Sequence, residues 1–282
     1  MKKIILCICL LSSYTVYAQR TMVAFIPPSK NTSNMIMVDS GNVKIWYALN
    51  AVDIVKSETY DDLQILETGE YFSKYYSYFV YARDSLITDW LEKHPRAKSV
   101  PNWLGAKGKD EFWSEYYYSE YFKDFSKNIL TEYARMPLHM KKSDSQYSEN
   151  IPIQNWDIKD DTLTVANYLC QKATCKFRGR DYTAWFSMDI PIQNGPWKFG
   201  ELPGLILKVY DKDMDYVFEC VKIEFFKEKY PIKKYDYKNY EKIEREKLLK
   251  LHKNIHENYF GTVGFVSTTP FKKGVYNPLE LE

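Results

Sequence analysis

The residues of this chain that could do chemistry at their spacing are a histidine pair, an aspartate triplet and a charged set around a proline-rich loop. His252 and His256 are four apart on a predicted helix, so both imidazoles share one face and could hold a transition metal. No glutamate stands where a zincin needs one and no third ligand is near, so the pair reads as solvated on a charged helix. Asp211, Asp213 and Asp215 imitate the opening of a calcium loop. The sixth position, however, is Tyr216 instead of glycine, and the twelfth is Lys222 instead of glutamate. That pattern reads as an Asp-rich hairpin turn. Arg178, Arg180, Asp189 and Glu201 would form the polar site if the chain were a hydrolase of unrecognised type. G-x-S-x-G, Walker A, H-E-x-x-H, C-x-x-C and G-x-G-x-x-G are all absent from the sequence. No catalytic residue, metal or cofactor is assigned.

The segment Ile190–Gly204 carries the strongest local signal. Gly195-Pro196 and Pro203-Gly204 are turn dipeptides that bracket Trp197 and Phe199. Two rigid bends can tuck these aromatics against a sheet, and the loop then plugs the core. The alternative is that it gates a cavity or docks a partner. On that alternative the binding residues are Trp197, Phe199, Glu201, Pro203 and Gly204, with Arg178 and Arg180 beside them. One echo accompanies the loop: Ile151-Pro152-Ile153-Gln154-Asn155 recurs as Ile190-Pro191-Ile192-Gln193-Asn194. Five residues are too few to imply a duplicated domain, and the two read as similar strand-edge loops.

The elements that must position these residues are mostly strands. Apolar–polar alternation predicts strands at 43–52, 61–68, 162–178, 181–188, 204–211 and 216–227, with a short helix at 84–93 ended by His94-Pro95. Arg178-Gly179-Arg180-Asp181 is a hairpin turn, since glycine tolerates the positive φ such turns need. The aromatic ladder at 112–125 fits paired strands, and 137–155 reads as a polar linker. Helical spacing of Tyr240, Ile243, Leu248, Leu251 and Ile255 predicts a helix over 237–255. The fold class expected is mainly β (α+β): an antiparallel curved sheet or open half-barrel with a C-terminal helix. Domain boundaries follow as a leader at 1–18, a mobile N-terminal arm at 19–42, a single β-rich domain at 43–260 and a tail at 261–282.

Charge and cysteine content set the compartment. The chain has 282 residues, 39 Lys+Arg and 37 Asp+Glu, and Lys2 and Lys3 account for the basic excess. A chain neutral without them has no global attraction for nucleic acid. Segment 222–253 is locally basic and reads as a solvated face laced with ion pairs, or as a surface for anionic lipid. Met1–Ala18 has a basic start, an apolar run from Ile4 to Leu11 and a small-x-small Val16-Tyr17-Ala18 end, the parts of a secretory signal peptide. That run is too short to span a bilayer, and no later segment is long enough. The protein is expected to be exported to the periplasm, the outer membrane or beyond. Cys170, Cys175 and Cys220 remain after the leader. Strand parity puts Cys170 and Cys220 on one polar face, where they could pair if their strands are neighbours. Three unpaired thiols are the alternative.

From Trp156 to Phe225 the chain resembles a known family. The carrying segments are Tyr168–Thr174, Phe177–Arg180, Ala184-Trp185-Phe186, Ile190-Pro191-Ile192, Gly195-Pro196, Lys198-Phe199 and Leu202–Ile206. Together they resemble the GLPGLI family of exported envelope proteins of Gram-negative bacteria. The signature here reads ELPGLI, with Glu201 in the first glycine slot. Leu63–Leu66 and Ser73–Ser77 add to the likeness. The resemblance implies export and a β-rich domain, and brings no activity, cofactor or catalytic residue. It puts in doubt any role that needs glycine's positive φ at position 201. The expected function is a non-enzymatic binding or accessory module of the envelope, its partner an envelope protein or an apolar ligand.

Overall fold

The computed structural model describes residues 26–101, 104, 113–264 and 276–282. The leader therefore lies outside the described residues. A single sheet of twelve strands organises the rest. They are β1 (Ile36–Leu49), β2 (Asp62–Gly69), β3 (Phe72–Ser77), β4 (Ser119–Asp124), β5 (Ile129–Ala134) and β6 (Ser145–Asn150). Then follow β7 (Asp157–Val165), β8 (Tyr168–Phe177), β9 (Arg180–Ser187), β10 (Leu205–Asp211), β11 (Val217–Lys234) and the two-residue β12 (Glu241–Lys242). Their order is β12-β6-β5-β4-β3-β2-β1-β11-β10-β9-β8-β7, antiparallel throughout except for β12 beside β6. Among the described residues three α-helices complete the fold: α1 (Tyr78–Lys93), α2 (Glu115–Tyr118) and α3 (Arg245–Thr262).

The sheet is open but strongly curled. Nine strand steps separate β6 from β8, which on a flat sheet is roughly 43 Å at about 4.8 Å per step. Yet Arg178, the residue after β8, reaches Glu149 of β6 with Nη2 2.6 Å from Oε2. The two arms therefore bend until side chains bridge them, which agrees with the half-barrel expected from the sequence.

Local chemistry explains the elements. Val43, Ile45, Tyr47 and Leu49 of β1 alternate onto the concave face and are buried. Trp46 points the other way, donating to Glu224 and packing edge-on against Tyr78 at 4.9 Å. Ser77 caps α1 by accepting from the Val80 amide, so the helix starts earlier than apolar spacing alone predicts. Phe79, Asp84, Ile87 and Thr88 form its buried side. The β7–β8 turn is Ala166-Asn167 (φ +48° and +68°) and the β8–β9 turn is Arg178-Gly179 (φ +48° and +79°). Both are two-residue turns of the kind that matches strand twist.

Both faces of β2–β5 are covered, which places charge inside the protein. On the convex side Lys74 pairs with Glu120 at 3.1 Å, and Arg135 pairs with Asp84 at 2.6 Å and with Glu120 at 3.3 Å. Tyr235 and Tyr237 add hydroxyl donors to Asp84 and Glu120. Two bases thus meet two acids in a satisfied network.

Several expectations need correction. Residues 26–42 are not a mobile arm: the Lys30 amide bonds Asp84, the Thr32 amide bonds Thr88, and β1 begins at Ile36. The 112–125 ladder is a short helix followed by one strand, with Phe112 outside the described residues. The 137–155 linker contains a 3-10 turn and β6. The C-terminal helix starts at Arg245, because Tyr235–Lys242 first crosses the convex face and edges the sheet. The 261–282 tail is not peripheral, since Leu279 and Glu280 are buried.

The cysteines differ too. All three are free and buried, and β9 and β10 lie between the strands of Cys170 and Cys220. For Cys220 parity fails because the register of β1 on β11 shifts between Trp46 and Tyr47, with the extra residue in β11. A bulge flips every later side chain to the other face. Along β8 the burial alternation breaks between Cys170 and Ala173, both of which are buried. Cys170 and Cys220 therefore both belong to the concave core.

Candidate functional site

The Pro-rich loop, residues 188–204, fills the concave face. Phe199 is fully buried, against Tyr182 at 4.8 Å, Trp197 at 5.2 Å and Phe177 at 5.7 Å between ring centres. Trp197 is 2% exposed and holds φ +51°, an uncommon state for a bulky residue. Pro203 is exposed, while Gly204 must be glycine: a Cβ there would lie 2.2 Å from the Ser187 carbonyl oxygen. Trp197 and Phe199 are thus plug residues.

The plug carries a charge inward. Lys198 is fully buried, bonded to Glu280 and to the Tyr147 hydroxyl, and 3.6 Å from Glu132 and 3.9 Å from Glu149. Arg178 and Arg245 complete the network on Glu280, at 3.4 and 2.6 Å. Burial pushes the Glu280 carboxyl up, but Lys198, Arg178 and Arg245 outweigh it and leave the pKa below the ordinary value. Glu132 moves the other way, raised by burial. These groups stand beside a second cluster, where Glu115 bonds His256 at 2.9 Å. His252 is 2% exposed, and burial lowers its pKa to about 4. The histidine pair is therefore not solvated; α3 packs it against Trp113 and Glu115. Glu115, Glu132, Glu280 and His252 converge on a space of about 20 Å³. That volume suits about one water and no substrate.

A larger opening lies on the other side of the plug. The cleft has a volume of about 380 Å³ and is lined by both Ile-Pro-Ile-Gln-Asn segments, together with Phe125, Glu70, Asn128 and Glu201. Each echo holds the plug backbone: the Gly200 amide donates to Gln154 Oε1 at 2.9 Å, and the Asn194 backbone forms a β-bridge with Gly200. Lys123 of β4 forms part of the cleft wall and is 4% exposed. Its Nζ donates to Asn194 Oδ1 at 2.8 Å and to the Phe199 carbonyl at 2.5 Å. Burial pulls its pKa from 10.5 down to about 7, opposed by the charge of Glu201.

The charged residues singled out in the sequence separate. Arg178 faces Glu149 and Glu280. Arg180 holds Asp211 at 2.8 Å and Asp215 at 3.2 Å, and also binds the Asn277 side chain and the Pro278 carbonyl. Asp189 is exposed, and Glu201 lines the cleft. The hydrolase quartet is thus not one site. Asp211, Asp213 and Asp215 do gather within 4.8 Å, but Arg180 already supplies the counter-charge and the Tyr216 amide caps Asp211. They close the β10–β11 hairpin turn, as the sequence suggested. Lys123, Lys198, Glu132 and Glu280 were missed as site residues. The one available signal was the repeated pentapeptide, whose two copies meet in the cleft.

Glu201 adopts φ +66°. Left-handed backbone costs a non-glycine residue roughly 1–2 kcal/mol, offset here by glycine's larger unfolded entropy. Glu201→Gly is expected to stabilise the protein by about 0.5–1 kcal/mol, read as a higher urea midpoint with an unchanged m-value.

The described residues thus form a curled antiparallel sheet around a plug, with a cleft of about 380 Å³ at the plug's edge. The chain belongs to the family described as the N-glycanase peptide, N-terminal domain, whose match covers residues 103–247, just over half of its length. It is also similar to PNGF-II in its P21 and C2 crystal forms, at 14% and 15% identity and a TM-score of 0.45 in each. Each likeness covers 76% of this chain and 33% of PNGF-II, so the chain spans about a third of that protein's length. No curated protein matches the chain. Among the described residues no helix is long and apolar enough to cross a membrane.

Proposed function

We propose that the chain is an exported, non-catalytic accessory module that holds the carbohydrate-bearing part of a glycopeptide in the 380 Å³ cleft. The observation that carries this reading is the lining of the cleft. Phe125, 40% exposed, offers an aromatic face, while Asn128, Gln193, Glu70 and Glu201 offer amides and carboxylates. Sugar rings present an apolar face and a rim of hydroxyls that both donate and accept, and this lining has a partner for each. A polar ligand fits it better than an apolar one. The family's description as an N-glycanase peptide, N-terminal domain, supports the same class of ligand.

Export rests on the leader Met1–Ala18 and on the resemblance to the GLPGLI proteins. The positive φ at Glu201, in the slot where that signature carries glycine, supports the resemblance. A hydrolase reading would need the Glu115–Glu132–Glu280–His252 cluster to admit substrate, and its space of about 20 Å³ does not.

The test is calorimetric titration of the full chain with a glycopeptide and with the same peptide freed of its glycan. The glycopeptide should bind and stay intact, and Phe125→Ala should weaken it at least tenfold. Equal affinity for both peptides, or release of the glycan, would reject the proposal.

A further inference from the structure

Three lysines are buried among the described residues, and one differs from the other two. Lys74 pairs with Glu120 at 3.1 Å, and Lys198 with Glu280. Lys123, 4% exposed, has no carboxylate within 4.0 Å among the described residues. Its two acceptors, Asn194 Oδ1 and the Phe199 carbonyl, are both neutral. An ammonium has three N–H groups, so one is left over. Beside it stands a second unspent donor. Asn194 is 1% exposed, its Oδ1 is taken by Lys123 and by the Gly195 amide, and its Nδ2 has no partner among the described residues. Buried charges are normally paired and buried donors normally satisfied, so two exceptions side by side in one cleft wall call for a missing group. Gly200 leaves the approach uncovered, since a Cβ there would stand 3.6 Å from Lys123 Nζ.

We infer that the cleft takes a carboxylate-bearing ligand, whose carboxylate is the counter-ion of Lys123 and the acceptor for Asn194 Nδ2. The inference rests on the cleft being the binding site proposed above. A hydroxyl or amide oxygen could meet one donor, but only an anion also neutralises the ammonium. A planar group with two oxygens matches two adjacent donors. Glu70 and Glu201 in the cleft lining act against a doubly charged anion such as phosphate. The carboxylate can come from an acidic sugar or from an acidic residue of the peptide.

The charge state of Lys123 makes the binding pH-dependent. The titratable groups that share its cleft are Glu70, Glu201 and Lys198, and its strand neighbours, Ser73 and Leu130, are uncharged. Lys123 loses its proton in the free protein near pH 7, so carboxylate affinity falls as the pH rises beyond that. At pH 8 binding should draw a proton from the buffer, seen as a binding heat that changes with the buffer's ionisation enthalpy.

The experiment titrates the full chain with galacturonate, galactose and N-acetylaspartate α-amide, whose one carboxylate is that of the aspartate side chain, at pH 6 and pH 9. At least one carboxylate should bind tenfold or more tighter than galactose at pH 6, and weaken at least tenfold by pH 9. Lys123→Met should abolish that preference while circular dichroism shows an unchanged fold. Preference for galacturonate names the sugar as the source, and preference for N-acetylaspartate α-amide names the peptide. Equal binding of galactose and galacturonate, or a preference that survives in Lys123→Met, overturns the inference. If glycopeptide still binds in that case, the proposed function stands without it; if nothing binds, both fall.

Discussion

Lys198→Met is expected to destabilise the protein by about 3–5 kcal/mol at neutral pH, the usual cost of removing one partner from a buried ion pair. Methionine fits the space, so the loss is electrostatic. Without the ammonium, Glu132 is left with the neutral hydroxyls of Ser119, Tyr121 and Tyr147, and Glu280 depends on Arg178 and Arg245. The pH dependence carries a sign. Glu280 has a folded pKa below the ordinary 4.5, so its stabilising contribution is present above that value and is lost as the pH falls through the folded one. The gap between wild type and variant should therefore narrow in acid. Urea denaturation at pH 7 and pH 3.5 measures it, and a gap below about 1 kcal/mol at pH 7 would show that the network is not holding the plug.

Lys123→Met should do the opposite at low pH. A pKa moved from 10.5 to about 7 means that the folded state disfavours the ammonium, on the order of 5 kcal/mol at about 1.4 kcal/mol per pH unit. Against this, the variant leaves the Phe199 carbonyl and Asn194 Oδ1 short of a donor, at roughly 1–3 kcal/mol in total. The charge wins at pH 6, where the variant should be the more stable by about 2 kcal/mol. Between pH 7 and 10.5 the unfolded chain binds the proton that the folded protein has lost, so wild-type stability gains on the variant as the pH rises. By pH 10 the difference should have moved by about 4 kcal/mol and changed sign. A difference constant from pH 6 to pH 10 would mean that Lys123 is not the isolated buried amine described.

These two lysines also mark where the sequence stops being legible. Hairpin chemistry at Gly179, the alternation of β9 and β10, and the bends at Gly195-Pro196 and Pro203-Gly204 are local, and they could be read directly. The burial of Lys123 could not. A lysine two residues after Tyr121 on the same strand face suggests an exposed edge, yet the concave side at that point is roofed by residues 194–200. Lys74 and Glu120 were equally hidden, because α1 and the Tyr235–Tyr240 segment cover the convex side. Glu280 comes from a tail 82 positions beyond Lys198, and nothing in its neighbours announces that contact. The face of Cys220 failed for a narrower reason, since a single bulge in β11 inverts the parity. Long-range closure and one-residue irregularities are the two things periodicity does not encode.

The most direct test of the cleft as the binding site is a backbone amide chemical-shift map of the full chain titrated with glycopeptide. The largest shifts are expected at Phe125, Asn128, Gln193, Asn194, Gly200 and Glu201, with the β7 edge and the β1–β11 ribbon unmoved. Shifts concentrated on β7 or on that ribbon, with these six residues silent, would contradict it.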